Sequence, residues 1–230
     1  MSNNDWGNAL MDVNKFLGLY WRNYILLENV FAETLEYITL DTYNYNVYSA
    51  KYIKLLLQIG SEIDINAKLL CSQYNAQSRA ENINHYRNEI TGNEVDFCNT
   101  KVNIIQHCNL SSFMPWESWS QGNNPDWWIA YNKVKHERFR TGNIGGNTKE
   151  YYKFANLENT LFALGGLYQL LIYRYSKLID GTENWIQTPI PGSHLFKLTG
   201  NKWDGIGFYQ DIAFHVDLNT GYLLYMTGIY

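Results

Sequence analysis

The chain has little charge, few cysteines and no long apolar run. Charged residues make up 17% of its 230 residues, hydrophobic residues 46% and aromatic residues 16%, and the net charge is −4. Disordered proteins combine low hydrophobicity with high net charge, so this composition excludes a mainly disordered chain. It indicates one globular domain, or one domain with an appendage.

The longest nearly apolar run, Leu161 to Tyr173, is shorter than the roughly 20 residues that a membrane-spanning helix requires. The N-terminal residues have no basic segment followed by an apolar one, so no signal peptide is predicted. We therefore expect a cytoplasmic protein with no membrane partner.

The three cysteines, Cys71, Cys98 and Cys108, lack the spacing of a disulfide framework. His107 lies beside Cys108, but a tetrahedral zinc site needs a further ligand that the sequence does not supply nearby. The phosphate-binding loop, the dinucleotide-binding glycine motif and the zinc-protease and nucleophile-elbow motifs are also missing. We expect no metal and no cofactor.

Apolar residues recur at steps of three and four, which predicts five helices. They cover about residues 21–40, 49–75, 79–90 and 125–140, and a fifth runs from its cap Asn156 to a closing Asp180-Gly181. Ser49 and Asn124 are further predicted caps, and Gly92 is a predicted helix stop. An aromatic-rich loop is expected between 92 and 125, and Gly165-Gly166 predicts a close helix–helix approach.

Beyond residue 181, short alternating runs separated by Gly and Asn turns predict a small β meander. Its expected strands are Leu195–Leu198, Ile206–Tyr209, Ile212–Leu218 and Tyr222–Met226. The predicted fold is mainly α: an up-and-down helical bundle over 1–180, followed by a β-rich C-terminal extension over 181–230.

Charge is uneven along the chain. Residues 1–100 carry seven basic and twelve acidic side chains, whereas residues 133–153 carry six basic and two acidic ones. This basic island is either a solvated face of the fold or a patch that binds phosphate. Its basic members are Lys133, Lys135, Arg138, Arg140, Lys149 and Lys153.

Within the island, helical spacing places Asn132, Lys135, His136 and Arg140 on one face, with Trp128 one turn earlier. A histidine exchanges protons near neutral pH, and an amide with cations can orient and neutralise a phosphodiester. The pattern is that of a nuclease half-site. The alternative is a partly buried histidine that is hydrogen-bonded to Asn132 near a helix end.

Three segments carry a resemblance to a known family. They are Trp127-Trp128-x-x-Tyr131-Asn132-x-Val134-Lys135-His136-x-Arg138, then Ala155-Asn156-Leu157-x-Asn159-x-Leu161-x-Ala163-Leu164, and earlier Tyr48-Ser49-x-x-Tyr52-x-x-Leu55-Leu56-x-x-Ile59-Gly60-Ser61-Glu62-Ile63-Asp64. Together they resemble bacterial HEPN-superfamily proteins over about residues 22–176. Many members of that superfamily are metal-independent endoribonucleases that act as dimers in toxin–antitoxin and antiphage systems.

The motif of that superfamily is an Arg, a polar residue that is often Asn, and a His after four to six intervening residues. By position its Asn falls on Asn132, its His on His136 and its Arg on Tyr131, which has no charge to contact a phosphate. Either Lys135 or Arg140 replaces that charge, or the site has lost activity.

The resemblance implies that His136 is the general acid or base, that Asn132 orients it or the phosphate, and that a cyclic phosphate is formed. Two half-sites would face each other in a homodimer. The other expected partners are RNA and a cognate antitoxin or defence protein. We assign RNA binding to Lys133, Arg138, Lys149, Lys153 and Trp128.

The acids of the second predicted helix, the tryptophans and the function as a whole each allow more than one interpretation. One interpretation is that the carboxylate of Glu62 or Asp64 contacts His136 and orients its ring. The other is that Asp64 forms an ion pair with Lys68. The tryptophans 116, 119, 127 and 128 stack on bases or, as their size favours, pack in the core. Two alternatives to an enzyme are open. The first is a catalytically degenerate dimeric interaction module. The second is a small-ligand sensor built on the loop 113–128, where few polar groups are available to fix a ligand.

Overall fold

The computed structural model describes residues 12–105, 110–179, 188–200 and 203, together with the backbone of 212–216 and 223–227. In these ranges the chain is mainly helical and has small antiparallel sheets. The helices are α1 (Arg22–Thr34, continuous with a π-helical section at Phe16–Trp21), α2 (Ala50–Tyr74), α3 (Ile83–Asn93), α4 (Asp126–Glu137) and α5 (Leu157–Ile179). No helix within the described ranges is long and apolar enough to cross a membrane.

The strands are short and form three separate antiparallel sheets. They are β1 (Lys101–Ile104), β2 (Ser112–Phe113), β3 (Thr141–Ile144), β4 (Asn147–Glu150), β5 (Phe196–Thr199), β6 (Ile212–Val216) and β7 (Leu223–Thr227). The first sheet has the order β2-β1-β5, while β3–β4 and β6–β7 are hairpins.

Two of the predicted caps are confirmed. The Ser49 hydroxyl accepts a hydrogen bond from the N–H of Tyr52 at 3.1 Å, and Asn156 Oδ1 accepts one from the N–H of Asn159 at 3.0 Å. These bonds satisfy amide groups that have no partner inside a helix. The prediction for Asn124 was wrong, because the extended Pro125 directly precedes the first helical residue and no side chain caps α4.

Several predicted helix ends were also wrong. The first helix begins before residue 21 and α1 ends at Thr34, where the Leu35 N–H turns back to the Ala32 carbonyl. Helix α3 starts after Asn82, whose Oδ1 accepts two backbone N–H groups, and it continues through Gly92. Helix α4 ends at Glu137 rather than 140, because the following residues turn into the β3–β4 hairpin.

The core lies between α2 and α5, and α1, α3 and α4 pack around this pair. Gly165 and Gly166 of α5 allow the predicted close approach, but the neighbours are aromatic side chains. A Cβ on Gly165 would lie closer than 3.0 Å to ring atoms of Phe113, and one on Gly166 would lie 3.3 Å from Trp127. The small residues therefore make room for the first sheet, for α4 and for the loop before it, whose Trp116 and Pro115 lie 3.4 Å and 3.5 Å from a Cβ on Gly166.

The prediction of a C-terminal meander was wrong for its first strand. Strand β5 pairs with β1, inside a segment that was expected to be a loop. A buried carboxylate holds the residues before β5 on the helices: Glu28 of α1 accepts hydrogen bonds from Tyr24, Ser193, His194 and Leu195. The β6–β7 hairpin is confirmed, while its loop at 219–221 and the expected strand at 206–209 lie outside the described residues.

Candidate functional site

Helix α4 separates the predicted site residues into a buried and an exposed group. Its buried residues are Trp127, Trp128, Ala130, Tyr131 and Val134. Lys135 and His136 are exposed, and Asn132 and Lys133 are half-buried. The α4 cluster, which we define as Tyr131, Asn132, Lys135, His136 and Arg140, is therefore not a single surface.

Tyr131 lies in the contact between α2 and α4. Its side chain is 4% exposed, and a Cβ on Gly60 would lie closer than 3.0 Å to three of its ring carbons. The Tyr131 hydroxyl is within 3.3 Å of Lys135 Nζ, which donates to it. The position that corresponds to the motif's Arg is thus a core position that Gly60 makes possible.

Asn132 and His136 do not form the hydrogen bond of the buried-histidine alternative. The Asn132 amide donates to the Trp128 carbonyl in its own helix at 2.9 Å. The His136 ring is exposed and has no hydrogen-bond partner among the described residues. It is open to solvent at the C-terminal end of α4.

Arg140 does not belong to the helical stripe, since α4 ends three residues earlier. Its N–H bonds to the Glu137 carbonyl, and its guanidinium, 78% exposed, lies 3.4 Å from the Glu137 carboxylate. Lys133 bonds the same carboxylate at 2.7 Å, and this hydrogen bond lowers the pKa of Glu137. One carboxylate is thus shared by two basic side chains.

The remaining basic residues differ in their partners. Lys153 pairs with Glu150 at 2.5 Å, and Lys149 donates to Asn46 Oδ1 at 3.0 Å. Arg138 donates to the Val134 carbonyl at 3.4 Å. Among the described residues, no carboxylate lies within 4.0 Å of Lys135, Arg138 or Lys149.

The carboxylates of α2 contact other residues than His136. Asp64 accepts a hydrogen bond from the Tyr86 hydroxyl at 2.9 Å, and burial followed by this bond raises the pKa of Tyr86. The Glu62 carbonyl accepts the Asn66 amide at 2.7 Å. Asp64 and Lys68 form no ion pair. Asp64 therefore links α2 to α3, and neither acid is hydrogen-bonded to the histidine.

Core packing of the four central tryptophans is confirmed. Trp116, Trp119, Trp127 and Trp128 are 0%, 3%, 2% and 7% exposed. The indole of Trp127 donates to the Pro115 carbonyl at 2.8 Å, and the ring of Trp128 packs 5.1 Å from that of Tyr131. Trp128 consequently has no free face on which a base can stack.

The sequence reasoning missed a row of three aromatic residues, of which Tyr48 and Phe139 are exposed and Tyr152 is half-buried. Tyr152 lies between Phe139 and Tyr48, at ring-centroid distances of 6.5 Å and 5.7 Å. Phe139 is 84% exposed and Tyr48 is 46% exposed. We call these three residues the aromatic row. The signal for it was present, because Phe139 stands between Arg138 and Arg140.

A polar cavity at the other end of α4 was missed as well. It has a volume of about 280 Å³ and lies between the first turns of α4 and α5, the β3–β4 hairpin and residues 114–118. Burial, and then the nearby Asp126 charge, raises the pKa of Glu158 in its wall. Burial lowers the pKa of Lys149 on the facing strand. Shifted ionisable groups in a cleft are typical of functional sites.

Comparisons with known proteins add no assignment. No family model, curated protein or solved structure matches the chain. The resemblance to HEPN proteins stays a prediction that rests on the quoted segments.

Proposed function

We propose that this protein is a HEPN-like RNA-processing protein that binds single-stranded RNA and cleaves it without a metal ion. One observation carries the proposal: the aromatic row lies beside basic side chains, and its exposed Phe139 follows the exposed His136 by three residues. Its setting would be toxin–antitoxin or antiphage defence, with a cognate antitoxin or defence protein as partner.

The aromatic row and its cations fit single-stranded RNA. Bases stack on aromatic side chains regardless of sequence, while cations neutralise the phosphates. Lys153 Nζ lies 5.6 Å from the centroid of Tyr152, and Arg140 is largely exposed next to Phe139. The surface therefore combines both parts of such a binding site.

The cleavage would be an in-line transesterification. The ribose 2′ oxygen forms a bond to phosphorus, the bond from phosphorus to the 5′ oxygen breaks, and a 2′,3′-cyclic phosphate results. A base takes the 2′-OH proton and an acid protonates the leaving 5′ oxygen. Each chain supplies one His136, so a homodimer supplies both groups, and Lys135 or Arg140 would stabilise the charge on phosphate.

The test is cleavage of bulk cellular RNA in the presence of EDTA, read on a denaturing gel. We expect wild-type protein to cleave, His136→Ala to lose at least about a hundredfold in rate, and His85→Ala to match wild type. His85 is the control because it is an exposed histidine on α3. Cleavage that persists in folded His136→Ala would contradict the assignment.

Binding is tested separately by fluorescence anisotropy with a short single-stranded RNA. Phe139→Ala and Tyr152→Ala should each weaken binding about fivefold or more, since stacking on one base contributes about 1–3 kcal/mol. Tyr43→Ala is the matched control, because Tyr43 is 97% exposed and has no ring contact among the described residues. Equal losses in all three variants would refute a specific role for the aromatic row.

A second candidate function is a catalytically degenerate HEPN-like dimeric interaction module. The burial of Tyr131 against Gly60 favours it, because the motif's charged residue has become a core residue. This candidate predicts a dimer in analytical ultracentrifugation and no EDTA-resistant cleavage by either wild type or His136→Ala.

A further inference from the structure

The cavity between the first turns of α4 and α5, which we call the acidic cavity, is a separate site from the α4 cluster. It begins at Asp126, ten residues before His136, which corresponds to roughly 15 Å along a helix. Its volume of about 280 Å³ is close to the lower limit, roughly 300 Å³, of the volumes of small-molecule sites. The cavity therefore suits a ligand of few atoms.

The charges in the cavity wall favour a cation. Glu117, Asp126 and Glu158 line it, against a single lysine, Lys149. Within the described ranges none of these carboxylates has an ion-pair partner within 4.0 Å. The Lys149 ammonium is instead bonded to Asn46 and lies 4.6 Å from the centroid of the Phe154 ring. Burial, followed by the Asp126 charge, raises the pKa of Glu158, while the Lys149 charge lowers it.

Two buried amides in the same wall each have an unused polar atom. Asn156 is 2% exposed; its Oδ1 caps α5, and its Nδ2 has no partner among the described residues. Asn159 is 7% exposed; its Nδ2 donates to the Phe154 carbonyl at 2.8 Å, and its Oδ1 has no described partner. Neither atom is fully enclosed and both residues line the cavity, so a donor and an acceptor are left for a ligand.

We propose that the acidic cavity binds a small organic cation, an alkylammonium or guanidinium ion, next to Asp126 and Glu158, and that Asn156 and Asn159 hydrogen-bond its polar end. Trp127 and Phe162 also line the cavity, and an aromatic ring attracts a cation that lies over its face. The polar groups of the cavity come from the loop 113–128, which supplies Glu117 and Asp126, and from the hairpin and α5.

The cation is either a free metabolite or the side chain of a lysine or arginine in a peptide. Both present the same charged group, so the test uses probes of each kind. Agmatine and butylguanidinium represent the free ion, N-acetylargininamide represents a peptide side chain, and butylurea is the neutral isostere of butylguanidinium.

The experiment is isothermal titration calorimetry on the full chain. Butylguanidinium should bind wild type, while butylurea should not. Asp126→Asn and Glu158→Gln should each weaken binding at least about tenfold, since each removes one nearby unit charge. Glu36→Gln is the control, because Glu36 is an exposed carboxylate outside the cavity and should leave the affinity unchanged.

The binding results are interpreted once circular dichroism has shown that each variant is folded. Binding of the free ions alone supports a metabolite, and equal binding of N-acetylargininamide supports a peptide side chain. Equal binding of butylurea, no binding of any probe at millimolar concentration, or affinities unchanged in both cavity variants would overturn the proposal. Displacement of the probes by Mg²⁺ or Ca²⁺ at equal concentration would identify an inorganic cation site and overturn it too.

Discussion

Replacement of Gly60 by alanine tests the contact between α2 and α4. Gly60 lies in the interior of α2, where alanine alone would stabilise the helix by about 1 kcal/mol. The added Cβ, however, would lie closer than 3.0 Å to three ring carbons of Tyr131, two of which are close to the root of its side chain. Because that ring is 4% exposed, it has little room to move away.

The steric cost should exceed the gain in helix propensity. Overpacking of a close-packed interior costs about 1–3 kcal/mol and occasionally more. Because the contacts are well below 3.0 Å, the cost should lie at the upper end of that range, and subtracting the gain of about 1 kcal/mol leaves a net loss of about 2 kcal/mol in the free energy of unfolding. For a chain of this size that corresponds to a fall in Tm of roughly 4–8 °C.

Urea and thermal unfolding, followed by circular dichroism, measure the effect. Gly92→Ala is the matched control, because Gly92 also lies in a helix and a Cβ there meets nothing within 4 Å. It should be neutral or stabilise by up to about 1 kcal/mol. In a double-mutant cycle, Gly60→Ala with Tyr131→Ala should lose less than the sum of the single changes. A Gly60→Ala protein as stable as Gly92→Ala would refute the reasoning.

Three further changes test the helix ends, the docked C-terminal segment and the cavity. Glu28→Ala leaves the hydroxyls of Tyr24 and Ser193 and two backbone N–H groups without their buried acceptor, so urea unfolding should show a loss of about 3–5 kcal/mol. Ser49→Ala removes the cap of α2 and should cost about 1 kcal/mol, whereas an unchanged midpoint would speak against the cap. Because the folded state raises the pKa of Glu158, its ionisation destabilises the fold: stability is full below the ordinary glutamate pKa and falls as pH rises through the folded value. Glu158→Gln should abolish this fall and be more stable than wild type at about pH 7, and an unaltered pH profile would contradict it.

Local hydrogen bonds made parts of the fold predictable. Ser49 and Asn156 are caps in the structure because each needs only a neighbouring N–H group three residues on. The same local logic failed at Asn124, where the fixed geometry of Pro125 moves the helix start by one residue. Strand β5 was assigned to the wrong partner because its pairing with β1 joins residues about 95 positions apart, which periodicity does not encode.

The candidate site was predictable only in part, for a related reason. Helical spacing placed Lys135 and His136 on one face of α4, and both are exposed in the structure. It did not reveal that Tyr131 faces Gly60, because close packing depends on two segments at once. The cavity brings together side chains from five segments, and the spacing within one segment does not show which others it meets.

The charges along α4 do not identify a site by themselves, because a helix dipole favours the same arrangement. Asp126 lies in its first turn and Lys135 and His136 in its last, which is the arrangement that a helix dipole favours by about 0.3–1 kcal/mol for each charge. Helix α5 repeats it with Glu158 and Lys177.

What the dipole does not explain is the exposed Phe139 and the unused amide atoms of Asn156 and Asn159. An exposed phenylalanine forgoes the stabilisation of burial, and the free amide atoms, which are not fully enclosed, are available to a ligand in the cavity. These uncharged features therefore distinguish the two proposed sites. Phe139→Ala should weaken RNA binding and leave the binding of butylguanidinium unchanged, whereas Glu158→Gln should do the reverse.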